Sequence, residues 1–230
     1  MKILASKYIA QELASATGLE VVPLQPYKML DSPVSSHADM LFFILDNTVF
    51  CYGDYIIENN LSELIEEAGY NIVHVSGKCE RKYPNDISLN VLAMGRTLFC
   101  HSKYTAKEIL DYAQENGYKI VDVKQGYAAC STLVIDEDTA ITTDSSIALA
   151  IKNENKRVLL INREDILLPG YNCGFIGGAS GKIGREVWLF GDVEALKYKD
   201  KIISLLDEKN CKIKAVSSGR VYDFGGFKTI

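Results

Sequence analysis

The sequence predicts an α/β fold of five strand–strand–helix–strand units, closed into a ring through both ends of the chain. Three observations predict it. Short β-branched apolar runs alternate with helix-like stretches that stop at glycine. The same order of elements returns in units of about 45 residues. Each end of the chain also reads as half a unit, so the two ends together complete a fifth.

The clearest copy opens with Leu41 to Cys51, two strands around an Asp46-Asn47 turn. A helix over Leu61 to Ala68 stops at Gly69, and a strand over Tyr70 to Val75 closes the unit. The next copy has a strand over Ile87 to Val91, a turn at Met94-Gly95-Arg96 and a strand over Thr97 to Cys100. Its helix runs from Thr105 to Asn116, stops at Gly117 and leads to Tyr118 to Val123. Phe50-Cys51 thus returns as Phe99-Cys100, and Gly69-Tyr70 as Gly117-Tyr118. A further copy starts with a strand over Cys130 to Ile135, turns at Asp136-Glu137-Asp138 and returns over Thr139 to Thr143. Asp144 caps a helix through Ile151, before a strand over Arg157 to Ile161. The following copy reads Tyr171 to Ile176, a glycine-rich turn, Glu186 to Phe190, a helix around Lys199 to Glu208, and Cys211 to Val216.

The ends supply the rest. Arg220 to Phe227 reads as an opening strand, and Met1 to Ala5 as its return. The helix Tyr8 to Ala16, Gly18 and the strand Leu19 to Leu24 follow. The units are therefore bounded at roughly 220–230 with 1–25, 36–76, 83–124, 126–162 and 170–217. Ring closure removes the exposed edge strands of an open sheet. No Pro/Gly/Ser linker divides the 230 residues, which predicts one domain.

Composition narrows the function classes. A hydrophobic content of 47% with 24% charged residues describes a soluble globular chain that can bury its own core. The formal net charge of −5 and the lack of a Lys/Arg cluster argue against nucleic acid as partner. No apolar run is long enough for a membrane span, and the first residues do not read as a signal peptide. Six scattered cysteines without C-x-x-C spacing predict reduced thiols, no metal and a cytoplasmic location.

The openings of the five units show where chemistry can sit. They read His37-Ala38-Asp39, Pro84-Asn85-Asp86, Ala128-Ala129-Cys130, Asn172-Cys173-Gly174 and Asp223-Phe224-Gly225. Tyrosine precedes four of them, as Tyr83, Tyr127, Tyr171 and Tyr222. A ring brings this position of every unit to one end of its axis, so His37, Asp39, Asp86, Cys130 and Asp223 are expected to converge. Polar residues heading apolar strands suit a lined pocket better than a sealed core. Each has a plainer reading: Cys130 as a packed core thiol, His37 as a loop residue, Asp223 and Asp86 as turn residues. Cys173 is a rival thiol. Gly177 to Ile183 imitates a phosphate loop but is one residue short, and Ile183 replaces its hydroxyl, so a hairpin turn is expected. Cys100-His101 has no further ligands to form a metal site.

Five such units closed through both termini resemble the pentein fold, a fivefold α/β-propeller. Its best-known members are guanidine-modifying enzymes: deiminases, dimethylarginine hydrolases and amidinotransferases. His37-Ala38-Asp39 resembles the family's His-x-Asp, whose histidine is a general acid/base and whose aspartate binds guanidinium. Gln125 to Cys130 resembles the small-residue run before the catalytic cysteine. Asp223-Phe224-Gly225-Gly226 resembles the family's acidic-Gly-Gly signature, in a chain that is circularly permuted. The resemblance implies a cofactor-free, cysteine-dependent hydrolase acting on a small cationic guanidino or amidine substrate through a thiouronium adduct. Cys130, His37 and Asp223 would be catalytic, while Asp39, Asp86 and Asn85 would bind substrate. The family's further aspartate has no counterpart in Asn172 to Phe175. The alternatives are an amidinotransferase, or a non-catalytic pentein that binds a protein or ribosomal surface or a small cation. The chain lacks the lid insertions of many deiminases, which implies either an open site or one closed by a second subunit, as in a homodimer. A reactive Cys130 needs its thiol depressed, by a neighbouring His37 cation or by the bound cation itself.

Overall fold

The computed structural model describes residues 1–77 and 79–230. The chain begins with β1 (Ile3–Ser6), α1 (Ala10–Thr17) and β2 (Val21–Leu24). One helical turn, α2 (Ala38–Leu41), enters the hairpin β3 (Phe42–Leu45) and β4 (Thr48–Cys51), and α3 (Gly53–Glu58) and α4 (Ser62–Glu67) return the chain to β5 (Asn71–His74). The order repeats as β6 (Leu92–Met94), β7 (Thr97–Cys100), α5 (Lys107–Glu115) and β8 (Lys119–Asp122). It repeats again as β9 (Thr132–Asp136), β10 (Thr139–Thr142), α6 (Ser145–Asn153) and β11 (Arg157–Leu160). After the short β12 (Ile166–Leu167) come β13 (Ser180–Ile183), β14 (Glu186–Leu189), α7 (Lys199–Glu208) and β15 (Lys212–Ala215). The chain ends with β16 (Val221–Tyr222) and β17 (Phe227–Thr229).

These strands form a mixed α/β fold of small sheets, none of which closes into a barrel. Five sheets share one topology: β17-β1-β2, β3-β4-β5, β6-β7-β8, β9-β10-β11 and β13-β14-β15. In each, the first pair is antiparallel and the second parallel, with a helix making the crossover. The β12–β16 pair is a separate parallel ribbon. The middle strand is covered on both faces. Ile3-Leu4-Ala5, Val49-Phe50-Cys51, Leu98-Phe99-Cys100 and Ala140-Ile141 are all fully enclosed, which is why these segments read as continuous apolar runs. The outer parallel strands β5, β8, β11 and β15 are exposed at both ends and half-buried between. Helix α6 starts where expected, with the Asp144 carboxylate accepting from the Ser146 and Ile147 amides at 2.8 and 3.0 Å.

The opening strands start later than the sequence suggests. Apolar residues at Ile87, Leu89 and Val91 are buried, yet they lie in a turn before β6. Cys130 lies in another turn, where the Ser131 amide donates to the Tyr127 carbonyl at 3.0 Å, and the strand begins at Thr132. The segment Tyr171 to Ile176 is also a turn, and the strand is Ser180-Gly181-Lys182-Ile183, within the stretch expected to be a hairpin turn. In the last unit Val221–Tyr222 pairs with β12, and the opening strand is β17. For the first two the reason is that a buried turn and a buried strand present the same apolar run, and periodicity does not separate them.

Closure through the ends is present as hydrogen bonding. β17 runs antiparallel to β1, pairing Ile3 with Thr229 and Ala5 with Phe227, and Lys2 and Ile230 exchange backbone bonds of 2.6 and 2.9 Å. Phe227 packs beside Phe190, with ring centroids 6.3 Å apart, and lies on the face of Gly181. Phe227→Ala should therefore destabilise the whole chain by about 3 kcal/mol or more. A denaturant titration that leaves the unfolding midpoint unchanged would show that the joined ends contribute little.

Candidate functional site

Three of the expected residues meet in one pocket. His37, Cys130 and Asp223 line a cavity of about 370 Å³, and all three are nearly enclosed, at 3%, 5% and 2% exposure. His37 stands just before α2, Cys130 in the turn before β9, and Asp223 just after β16. The His37 Nδ1 lies 3.7 Å from Asp223 Oδ1. The Asp223 carboxylate is fixed by two backbone donors, the Phe175 amide at 2.9 Å and the Gly225 amide at 3.0 Å.

Two glycines make this approach feasible. Gly225 has φ +79°, and a Cβ there would fall 2.2 Å from the His37 Cβ. A Cβ on Gly178 would fall 2.0 Å from Asp223 Oδ1. The Gly178 amide meanwhile donates to the Cys130 carbonyl at 2.9 Å, and its carbonyl accepts from Phe224 and Gly226. The glycine-rich stretch thus brings the thiol turn and the Asp223 segment together.

Asn90 is the residue that the sequence reasoning missed. Its Oδ1 accepts from the Ala129 amide at 2.8 Å and the Cys130 amide at 3.3 Å, and its Nδ2 donates to Cys130 Sγ at 2.9 Å and to the Asp39 carbonyl at 3.1 Å. One side chain therefore holds the cysteine turn and offers the sulfur a donor. The available signal was a lone polar residue inside the apolar run Leu89-Asn90-Val91. Asp86 is set further from β6 than Asp39 is from β3, so the two do not occupy one position.

The other expected residues are placed differently. Asp39 is 4% exposed, donates its amide to the Gly225 carbonyl at 3.1 Å, and has no hydrogen-bond partner on either carboxylate oxygen. It lines a second cavity on the opposite side of the same wall. Asp86 is buried behind Tyr127, accepting from its hydroxyl at 2.7 Å. Asn85 is exposed, and its amide donates to Glu80 at 2.9 Å, so it faces away from the pocket. Cys173 lines the pocket and is more exposed than Cys130. Three of the four aligned tyrosines, Tyr83, Tyr127 and Tyr171, line the pocket, and Tyr127 stands 6.2 Å from Phe175. Among the described residues, Arg163 is the one cationic side chain of the lining, 5.2 Å over the Phe175 ring.

Charge at the site follows from burial. Burial pushes the Cys130 thiol well above its ordinary value, and the Asp39 and Asp223 charges push it further. His37 is held down at about 4 by burial, despite the opposing pull of Asp39, so it is neutral at pH 7. A His37 cation is therefore not available to activate the thiol in the unliganded protein, contrary to the first of the two routes expected from sequence. Burial and the neighbouring Asp39 raise Asp223 to about 8. The pocket thus sets the Cys130 thiol beside one acid, Asp223, with a second acid, Asp39, in the wall, an arrangement that favours a bound cation.

Comparison with known proteins bears on the fold. The model of a family of unknown function, DUF6873, matches residues 4–227. The chain belongs to that family. No curated protein matches it. Among solved structures, an amidinotransferase from Microseira wollei, SxtG of a saxitoxin biosynthetic pathway, superposes with a TM-score of 0.58 at 9% identity, covering 93% of this chain and 87% of that one. C. jejuni agmatine deiminase gives 0.56 at 10% identity, covering 94% and 87%. DDAH from Pseudomonas aeruginosa gives 0.54 at 6% identity, covering 94% and 91%. The chain therefore has the fold of the pentein, or guanidino-group-modifying, superfamily, and likeness at such identity speaks of fold alone.

The opposed titrations make a testable pattern. His37, lowered from 6.5 to about 4, binds fewer protons folded than unfolded, so its contribution rises with pH up to about 6.5. Asp223, raised from 3.8 to about 8, binds more protons folded, so its contribution falls with pH from about 4 to about 8. Above pH 6.5 only the second remains of the two. Stability should drop by about 1 kcal/mol between pH 6.5 and 8, and Asp223→Asn should remove that drop. Equal slopes in the two proteins, by denaturant titration across this range, would refute the assignment.

Proposed function

We propose that this chain is one domain, residues 1–230, a circularly permuted five-bladed α/β-propeller whose five like sheets are its blades, and that it hydrolyses a small guanidino or amidine compound through Cys130. The observation that carries the reading is the meeting of His37, Cys130 and Asp223, from three distant parts of the chain, in one pocket. Structural likeness to guanidino-modifying enzymes supports the same class.

The pocket chemistry fits a cationic planar substrate. Its charge would sit against the Tyr127 and Phe175 faces and near the Asp223 and Asp39 carboxylates, Asp39 acting from within the wall. Arrival of that cation lowers the cost of forming the thiolate, which His37 does not do on its own. Cys130 passes its proton to His37, and the sulfur bonds to the central carbon, forming a tetrahedral adduct. His37 returns the proton to the departing amine as the C–N bond breaks, leaving a thiouronium bound to the sulfur. His37 then takes a proton from water as the hydroxide adds to that carbon. Collapse of the second adduct breaks the C–S bond, releases the urea-type product and regenerates the cysteine. Asp223 orients the imidazole and stabilises it when charged, and the Asn90 amide donates to the sulfur at 2.9 Å. Asp86 acts at one remove by holding Tyr127, and Asn85 has no part.

Hydrolysis is preferred to amidino transfer, which would need an amine in place of water. A binding role without turnover is the second reading. It is favoured by the near-complete enclosure of His37, Cys130 and Asp223, and by the inaccessible Asp39 oxygens.

Ammonia or amine release from a panel of guanidino and amidine compounds tests the proposal. Wild-type protein should turn over at least one of them, and Cys130→Ala should lose about three orders of magnitude or more in rate, as removal of a nucleophile does. His37→Ala should lose rate comparably, because the same imidazole serves both the formation of the adduct and its hydrolysis. Undiminished turnover in Cys130→Ala would end the assignment, and saturable binding of a guanidino compound with no turnover would establish the second reading.

A further inference from the structure

Behind the wall that carries the thiol lies a cavity of about 270 Å³. It is lined by the immediate neighbours of the site residues: Ala129 beside Cys130, Gly225 and Gly226 after Asp223, and Asp39 after His37. The first strands of the five sheets each turn a residue into it, Ile44 of β3, Ala93 of β6, Val134 of β9, Lys182 of β13 and Lys228 of β17. Three of the five are apolar and two are lysines.

What sets the two lysines apart is that both line one cavity. Among the described residues, neither Lys182 nor Lys228 has a carboxylate oxygen within 4.0 Å, whereas eight other lysines are ion-paired. They sit on neighbouring strands, facing one partly apolar space that also includes Phe43, Leu92 and Leu133. Burial lowers the Lys228 ammonium from its ordinary range, against the pull of Asp39 and Cys130. Asp39 is the sole carboxylate of the lining, and its oxygens are sealed in the wall without partners. Asp39 is thus the one negative group that the lining sets against two ammoniums, and a second anion between them completes the balance of charge.

We infer that this rear cavity is a second binding site, one that takes a small organic carboxylate, its anionic end between Lys182 and Lys228 and its short apolar body against Ile44, Leu133 and Val134. The site is separate from the chemistry at Cys130 and holds whether or not turnover occurs there. The carboxylate chemistry follows from the lining: two flexible point-charge donors and an apolar wall suit an amphiphilic anion better than a fully hydrated one.

Calorimetric titration of the full chain tests it, with butyrate as the probe and butyramide and inorganic phosphate as comparisons. Butyrate should bind saturably, more tightly than phosphate, and butyramide should give no signal. Lys182→Met should weaken butyrate binding about tenfold or more, and Lys182→Arg should restore most of it. Lys228→Met provides the same reading from the neighbouring strand if Lys182→Met does not fold. Absence of saturable butyrate binding, equal binding of butyramide, tighter binding of phosphate, or unaltered affinity in the folded lysine-to-methionine variant would each overturn the inference.

Discussion

Where β17 runs antiparallel to β1, the last residues of the chain are locked against the first, and the segment leading into β17 is carried across His37. Asp223, Gly225 and Gly226 are that segment. The Gly225 carbonyl accepts the Asp39 amide, and its own amide fixes Asp223 Oδ1. Without the pairing of the ends, Asp223 would have no reason to stand 3.7 Å from an imidazole nearly two hundred residues away in sequence. The pairing is a small piece of backbone structure, but it fixes both who meets at the pocket and what surrounds the rear cavity.

Enclosure then sets the chemistry. Cys130 and Asp223 are packed where water is scarce, and the Asp39 carboxylate near them disfavours charge on both. The His37 ring, neutral for the same reason, cannot compensate them. The arrangement holds its acids and thiol in a state from which a cation can draw charge, and the aromatic wall of Tyr127 and Phe175 is the matching surface. The Asn90 amide adds a donor at the sulfur without adding charge. On the other side of the wall the imbalance is reversed: two ammoniums, Lys182 and Lys228, face the single carboxylate of Asp39. The two sides of the wall thus call for ligands of opposite sign.

Much of this was legible in the sequence, because repetition exposes equivalent positions. The recurrence of Phe-Cys and Gly-Tyr pairs marked the units, and the half-units at Met1 and Arg220 foretold the joined ends. His37, Cys130 and Asp223 were legible as polar residues heading apolar stretches. The starts of the opening strands were not. Ile87-Ser88-Leu89-Asn90-Val91 is buried like a strand but folded as a turn, and burial is what its composition reports. That error hid Asn90 and placed Asn85 and Asp86 one step too near the site. Ser180-Gly181-Lys182-Ile183 failed as a strand for the opposite reason, since glycine and lysine there serve close packing against Phe227 and the rear cavity rather than strand propensity. The neutrality of His37 was not readable either, because desolvation belongs to the packed structure alone.

The most direct test of the account is the titration of the Cys130 thiol itself. Its rate of alkylation by iodoacetamide can be followed against pH, by mass spectrometry of the peptide, with and without a saturating guanidino ligand such as methylguanidinium. The account predicts a thiol that titrates well above the ordinary cysteine range in the free protein, and a clear downward shift of its titration when the cation is bound, read alongside the steric protection the ligand gives. A Cys130 that already titrates near neutrality without ligand, or one whose titration ignores the bound cation, would contradict it.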